Sequence, residues 1–509
     1  MSVQQTHEPV PASRETRPVE RDLSLPTKVV TVTTAAIVAL VWIPSIGRSL
    51  WLDELISTWV IDEGFTTAIG RAQEYQASSP LYFGLLWVWS YIVGTNEVVL
   101  RLPSIVCVAA ALWHVNGLGR DLGSPLVGKI AVLSMVATPT VAQMGLSARP
   151  YALLLLVVVL SVRSLLRWTE SGELRDGLTT GVLATAALYL HPFSAFVFVA
   201  HLIHLRSAMR AGHGPSGRQV VWVGAVAAVL LVPLLPQLAQ IAGRSDVYSY
   251  ARMPDLEILA IAMVPSSAVV LLLVGFGLSL RSKPPVVESV PRYPTGAPLI
   301  VAWAVAAPVL LFLLSRLGGS SVFVQRYYMV AVPGAALLVG LLFTSIANLA
   351  ARFWLLIALS AVVLFAVVDD HPLNGLEHDW RGAIEQANAV VVPDDTTILF
   401  SNGLVESNDP MWLADPEARP YLNSVFSRYP ADAPTVALPT IYLPENASLV
   451  DDAVAVAAAS ETDTLVVLFP FVPGATEYLS VLDATITEHG YAHEGERDFR
   501  GIRVLLYER

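Results

Sequence analysis

The sequence predicts a multi-pass α-helical membrane protein with a small α/β domain at its C-terminal end. Composition supplies the first observation. Of 509 residues, 54% are hydrophobic and only 14% charged, against about 25% charged in a typical soluble protein. So few charges cannot cover a water-facing surface of this size. The second observation is how the charges are distributed. Residues 369–509 hold 24 Asp and Glu against 7 Lys and Arg, a balance of −17, while the remainder holds 18 acids and 24 bases, a balance of +6. The net charge of −11 is therefore an acidic tail on a mildly basic, apolar body, which excludes a basic nucleic-acid binder. The third observation is that apolar runs of ~20 residues, the length that spans a bilayer, recur between residues 28 and 368. The single cysteine, Cys107, lies in one such run, so no disulfide framework and no thiolate metal cluster can form.

Residues 1–27 are polar, with prolines and mixed charge, and read as a disordered cytoplasmic arm. Crossings are expected over 28–47, 98–119, 125–146, 148–167, 219–241, 256–280, 297–315, 327–348 and 350–368. The stretch 177–208 is too long for one span, and His191-Pro192 divides it into 177–190 and 191–208. That gives about eleven crossings. Basic residues cluster at alternate ends: Arg14, Arg17, Arg21 and Lys28; Arg120 and Lys129; Arg163, Arg167 and Arg175; Arg206, Arg210 and Arg218; Arg281, Lys283 and Arg292; and Arg352. The positive-inside rule makes these ends cytoplasmic. The N-terminus is then inside, and 369–509 lies outside the plasma membrane. Residues 80–94 are apolar and aromatic but short. A crossing there would reverse every later loop and turn the 163–175 arginines outward. A re-entrant or interfacial helix is expected instead. The membrane domain is thus 28–368, with 48–97 as its first outer loop. In the acidic tail, a helix near 380–389 and strand-like runs at 397–400, 464–469 and 501–507 suggest an α/β or α+β domain.

This orientation places a small set of polar residues on the outer face. Trp51-Leu-Asp53-Glu54 follows the first span directly. A carboxylate partly withdrawn from water can take a proton from an attacking hydroxyl; two solvated acids at a helix end are the plainer alternative. Outward arginines run against the positive-inside trend and suit an anionic headgroup or phosphate. Arg149, in Ser147-Ala-Arg149-Pro-Tyr151, and Arg326 have no acid nearby in sequence. Arg316 shares a Gly-Gly-Ser-Ser loop with Arg326, whereas Arg244 and Arg252, flanking Tyr248 and Tyr250, can pair locally with Asp246 and Asp255. His191 can bind phosphate, move a proton or cap a helix. His201 and His204 approach the cytoplasmic side and lack a neighbouring carboxylate, so no metal-ligand spacing is convincing. No cofactor is evident, although a divalent metal stays compatible with the sequence. No phosphate-cradling glycine loop is present.

The order of these motifs resembles that of the bacterial GT-C fold polytopic glycosyltransferases, the protein mannosyltransferase-like and aminoarabinose transferase-like enzymes. The residues that carry the resemblance are Trp51-Leu-Asp53-Glu54, Ser79-Pro80-Leu-Tyr82, Glu97-Val-Val-Leu-Arg101-Leu-Pro103-Ser104, Ala148-Arg149-Pro-Tyr151, Tyr189-Leu-His191, Gln325-Arg326-Tyr327 and Asp379-Trp380-Arg381-Gly382, spread over roughly 30–400. Ser78-Ser79-Pro80 and Ser147 depart from the pattern common among relatives. The resemblance implies a polyprenyl-phosphate sugar donor and a glycan, glycolipid or protein acceptor. It makes Asp53 the base, with Glu54 supporting acceptor or donor positioning. Arg149, Tyr151, His191, Arg326 and Tyr327 become the donor phosphate site, Arg101 an anchor of the first loop, and 379–381 a closure from the tail. Mannose or a similar sugar would then be transferred with inversion. A lipid-linked sugar flippase and a non-catalytic assembly partner are the competing readings. A flippase would bury charges at mid-membrane and show two related halves, neither of which is evident.

Overall fold

The computed structural model describes residues 24–75, 79–243, 252–263, 296–346, 348–369, 378–443, 446–459, 462–471 and 474–509. Among these, eight helices are long and apolar enough to cross a membrane: Leu25–Ser45, Glu97–Leu122, Tyr151–Ser171, Pro192–Arg210, Gly217–Ile241, Gly296–Gly318, Gln325–Thr344 and Ala350–Val367. The pair Pro125–Val136 and Pro139–Gly145, bent by 72°, makes a ninth if it is one span. The multi-pass helical architecture is present, but the expected count of eleven is not reached in the described residues. Two segments account for the difference. The 177–190 stretch belongs to the 17-residue helix Leu174–Leu190, which has Asp176 in its first turn. Of 256–280, only the helix Leu256–Met263 falls within the described residues. Residues 1–23 of the expected arm, with Arg14, Arg17 and Arg21, lie outside them. So do Ser78, Arg244, Asp246, Tyr248, Tyr250, Arg281, Lys283 and Arg292.

Prolines set the breaks. A proline removes a backbone donor and disfavours helix at the residue before it. Accordingly Thr138 is extended before Pro139, and His191 is extended before Pro192. A π-helical turn, Val38–Trp42, precedes Pro44 in the first span. Helices Glu97–Leu122 and Pro125–Val136 form a close hairpin: a Cβ on Gly119 would come within 2.4 Å of the Gly128 Cα. Residues 80–94 form the helix Pro80–Val93, apolar but short of a span. Its Leu81, Leu85, Val88 and Ile92 are exposed along one face, while Phe83 and Leu86 are buried.

The acidic tail forms a five-stranded sheet with β1 (Thr396–Ser401), β2 (Thr435–Leu438), β3 (Thr464–Pro470), β4 (Ala492–Phe499) and β5 (Ile502–Glu508) in the order β2-β1-β3-β5-β4. β1 is parallel to both its neighbours, and β3, β5 and β4 are antiparallel in turn. The helix Trp380–Val390 precedes β1, Ala447–Ala458 links β2 to β3, and Ala475–Glu488 links β3 to β4. One face of the sheet buries Leu399, Leu465, Val467 and Phe469 against Val454, Tyr478 and Leu482 of those last two helices. Ile398, Phe400, Val466 and Leu468, on the other face, join the same apolar core as Leu55, Trp59 and Val60 of the helix Leu52–Ile61. That alternation explains why β1 and β3 are buried along their whole length.

Candidate active site

The helix Leu52–Ile61 follows the first span after the irregular residues 46–51 and carries Asp53 and Glu54 in its first turn. Acids there suit the positive end of the helix dipole. The two carboxylates have different surroundings. Glu54 is completely buried. It receives Arg101 Nε at 2.9 Å and Nη2 at 2.5 Å, the Ala148 N–H at 2.8 Å and the Trp51 N–H at 3.3 Å. Arg101 spends its remaining donors on the carbonyls of Ile46 (2.8 Å), Arg48 (2.8 Å) and Ser49 (3.0 Å). This is a buried, two-pronged ion pair whose lone pairs and protons are occupied, the condition under which such a pair is tolerated.

Asp53 instead faces two arginines. Its Oδ2 lies 3.7 Å from Arg149 Nε and 3.6 Å from Arg326 Nη1. Both distances are ion-pair contacts, too long for hydrogen bonds, and Oδ2 accepts no hydrogen bond among the described residues. Arg149 is fixed to the same helix, donating to the Asp53 carbonyl at 3.3 Å and to Ser57 Oγ at 3.5 Å. Ser57 in turn donates to the Asp53 carbonyl at 2.9 Å. Ser57 escaped the sequence reading, although its i+4 spacing from Asp53 could have revealed it.

Arg149 lies in a short turn between Pro139–Gly145 and Tyr151–Ser171 that Trp51, Glu54 and Ser104 hold in place. Ser104 Oγ donates to the Ser147 carbonyl at 2.6 Å, Trp51 Nε1 donates to Ser147 Oγ at 3.3 Å, and Glu54 takes the Ala148 N–H. Ser147, one of the departures from the family pattern, thus serves as a backbone anchor here. Ser79, the other, has a left-handed φ of 55° and donates from Oγ to the Leu190 carbonyl, tying the start of Pro80–Val93 to the turn that holds His191.

Tyr151, His191 and Tyr327 form one aromatic group beside the arginines. The Tyr151 and His191 rings are 5.8 Å apart, His191 and Tyr327 are 4.8 Å apart, and Arg326 Cζ lies 5.7 Å from the Tyr327 ring. His191 Nδ1 accepts the Phe193 N–H at 3.3 Å, a helix cap, which leaves the ring proton on Nε2. Gln325 accepts from Thr140 at 3.1 Å and fixes the short helix that presents Arg326. Asp53, Arg149, Tyr151, His191, Arg326 and Tyr327 therefore come together from four separate segments, while Glu54 and Arg101 form a separate buried pair next to them.

The remaining candidates are elsewhere. Arg316 stacks over Phe312 at 5.9 Å. Asp255 Oδ1 caps the 256–263 helix through the Ile258 N–H at 2.8 Å. His201 and His204 are buried against Ser161 (3.3 Å) and Thr169 (3.0 Å). No group of three or more His, Cys, Asp or Glu side chains suited to a metal occurs among the described residues.

The fold has known counterparts. The chain superimposes on ArnT from Cupriavidus metallidurans in the apo state with a TM-score of 0.52 at 9% identity, covering 94% of this chain and 97% of that one. Against the same protein bound to undecaprenyl phosphate the TM-score is 0.54 at 10% identity, with the same coverage. The chain has the GT-C glycosyltransferase fold. It also resembles the apo oligosaccharyltransferase of Archaeoglobus fulgidus, with a TM-score of 0.50 at 12% identity over 93% of this chain and 73% of that one. Residues 77–238 match the model of the dolichyl-phosphate-mannose-protein mannosyltransferase family. No curated protein matches by sequence.

Proposed function

We propose that this GT-C chain is a membrane glycosyltransferase moving a sugar, mannose or a similar one, from a polyprenyl-phosphate donor to a glycan, glycolipid or protein acceptor. The reaction takes place on the outer face of the plasma membrane, with the N-terminus inside. Eleven crossings over 28–368 and an extracytoplasmic domain over 369–509 complete this reading, with Pro80–Val93 lying in the lipid interface. The observation that carries it is the Asp53 carboxylate between two guanidiniums, with Oδ2 accepting no hydrogen bond among the described residues.

The chemistry follows from those positions. The polyprenyl tail stays in the bilayer and presents the anomeric carbon at the surface. The acceptor oxygen forms a bond to that carbon as the bond to the phosphate oxygen breaks. The hydroxyl proton passes to Asp53, and polyprenyl phosphate leaves with the bonding electrons. Attack opposite the leaving group inverts the anomeric carbon. Negative charge grows on the phosphate, where a guanidinium gives most stabilisation. Arg326 suits that role because its side chain is 22% exposed, against 8% for Arg149. Arg149, bonded to the Asp53 helix, keeps the base oriented. Donor phosphate draws Arg326 from Asp53 and opens the space a sugar ring needs. His191 Nε2–H and the Tyr151 and Tyr327 rings line that side.

The test is Asp53→Asn in the full-length protein in lipid vesicles, assayed with radiolabelled polyprenyl-phosphate sugars. Transfer falls by at least about a hundredfold, while undecaprenyl phosphate still raises the melting temperature. Wild-type transfer in that variant would refute the base assignment.

A further inference from the structure

The first outer segment reaches Asp53 through residues 46–51, which have no regular secondary structure. Backbone groups in such a stretch need partners from elsewhere. From the membrane side, Arg101 takes the carbonyls of Ile46, Arg48 and Ser49. From the opposite side, the partners come from the acidic tail, more than 300 residues away in sequence. The Leu50 N–H donates to Tyr429 Oη at 3.0 Å, and that hydroxyl donates to Glu97 Oε1, also at 3.0 Å. The Arg381 N–H donates to Ser49 Oγ at 3.1 Å, and its guanidinium meets Glu97 at 3.3 Å and the Gly47 carbonyl at 3.5 Å. Glu97 opens the helix that presents Arg101 one turn later, so the two clamps share a support. Ser427, two residues before Tyr429, contacts Thr58 Oγ1 at 2.9 Å and donates to the Leu55 carbonyl at 3.3 Å. The helix bearing Asp53 is thus held by the tail both at its entry and along its length.

We propose that Tyr429 and Arg381 are positioning residues for the transfer step, so that the sheet-bearing tail sets the placement of the base as well as covering the outer face. This rests on the reading of Asp53 as base. Tyr429 uses its hydroxyl as acceptor and donor at once, taking the N–H of Leu50, three residues before Asp53, so its loss frees the chain where the base enters its helix. A base displaced by about 1 Å loses on the order of 100-fold in rate. Donor binding, made through Arg326 and the aromatic group, does not depend on this clamp.

The experiment uses full-length Tyr429→Phe, Arg381→Ala and Arg381→Lys in vesicles, with the donor that the wild type turns over. Tyr429→Phe and Arg381→Ala lower kcat on the order of 10–100-fold. KM for the donor and the melting-temperature shift produced by undecaprenyl phosphate stay at wild-type values. Arg381→Lys, which keeps a point charge for Glu97, recovers part of the loss. Unchanged kcat in Tyr429→Phe and Arg381→Ala overturns the proposal. So does a loss of rate that only parallels a loss of the undecaprenyl phosphate shift, the signature of general unfolding. Asp53→Asn measured alongside separates the two readings. An active Asp53→Asn defeats the base assignment itself. An inactive one beside fully active Tyr429→Phe and Arg381→Ala defeats only the positioning role.

Discussion

Asp53 and Glu54 are neighbours in sequence, and the helix they share sends them in different directions. At 3.6 residues per turn, consecutive side chains diverge by about 100°, so only one of the pair can face a given site. An acidic dipeptide is legible in sequence; the division of labour within it depends on which face of the helix meets Arg101. That in turn depends on packing between segments 47 residues apart. Arg149 and Arg326 stood out in sequence because an outward arginine is unusual beside a span. Their meeting at one carboxylate is a product of folding alone. The buried pair carries its own prediction. Arg101→Ala strands the fully buried Glu54 and three backbone carbonyls, and removing one partner of a buried pair costs about 3–5 kcal/mol. Arg101→Lys does not restore stability, because an ammonium cannot reproduce the two-pronged contact and reach three carbonyls as well. Denaturant titration of the detergent-solubilised variants measures this. Wild-type stability in Arg101→Lys would show that charge alone matters at the site.

Among the elements, those with a buried or lipid-facing pattern were readable and the edge elements were not. The central strands β1, β3 and β5 appear in sequence as apolar runs because β1 and β3 are buried throughout and most of β5 is buried as well. β2 has four residues and β4 reads Ala-His-Glu-Gly-Glu-Arg-Asp-Phe, almost entirely exposed. Both are edge strands, where short length and charge discourage pairing with other chains and also erase the hydrophobic signal. The helix Pro80–Val93 shows the converse. Its apolarity was plain, but whether it crossed could not be judged from length alone. Leu85 and Ile92 are 53% and 73% exposed, on a face that also carries Val88, while Ser90 on the other face is buried. Burial of that apolar face in lipid predicts a specific quenching pattern. Fluorescent probes on cysteines placed at Leu85 and Ile92, in a Cys107→Ser background, should be quenched by spin-labelled lipids. A probe at Glu63, exposed in the loop beyond the Asp53 helix, should be quenched far less. Quenching at Leu85 and Ile92 as weak as at Glu63 would take that face out of the lipid.

For the whole molecule, the contact between Asp53 and Arg149 constrains topology more tightly than charge counting does. Two residues that touch at 3.7 Å must emerge on the same side of the membrane, so an even number of crossings separates them. The helix Glu97–Leu122 supplies one, and the bent pair Pro125–Val136 and Pro139–Gly145 supplies the second if it is one span. A third crossing by Pro80–Val93 would put the residues on opposite sides. The same parity applies to Arg326, 3.6 Å from Asp53, and to Tyr429, bonded to Leu50. The Asp53 end of the bundle and the sheet must therefore share one side. Toward the other end are Arg163, 4.0 Å from Asp121, and Arg352 on the carbonyls of Thr344 and Ile346, in the part of the bundle where the arginine distribution predicts the cytoplasmic side. This parity predicts the accessibility of two exposed positions, Glu173 in the turn after Tyr151–Ser171 and Glu494 on β4. With Cys107→Ser as background, a cysteine at Glu494 reacts with a membrane-impermeant maleimide added to intact cells. One at Glu173 reacts only after the membrane is opened. Labelling of both positions from outside would break the parity on which the shared face of Asp53, Arg149 and the sheet depends.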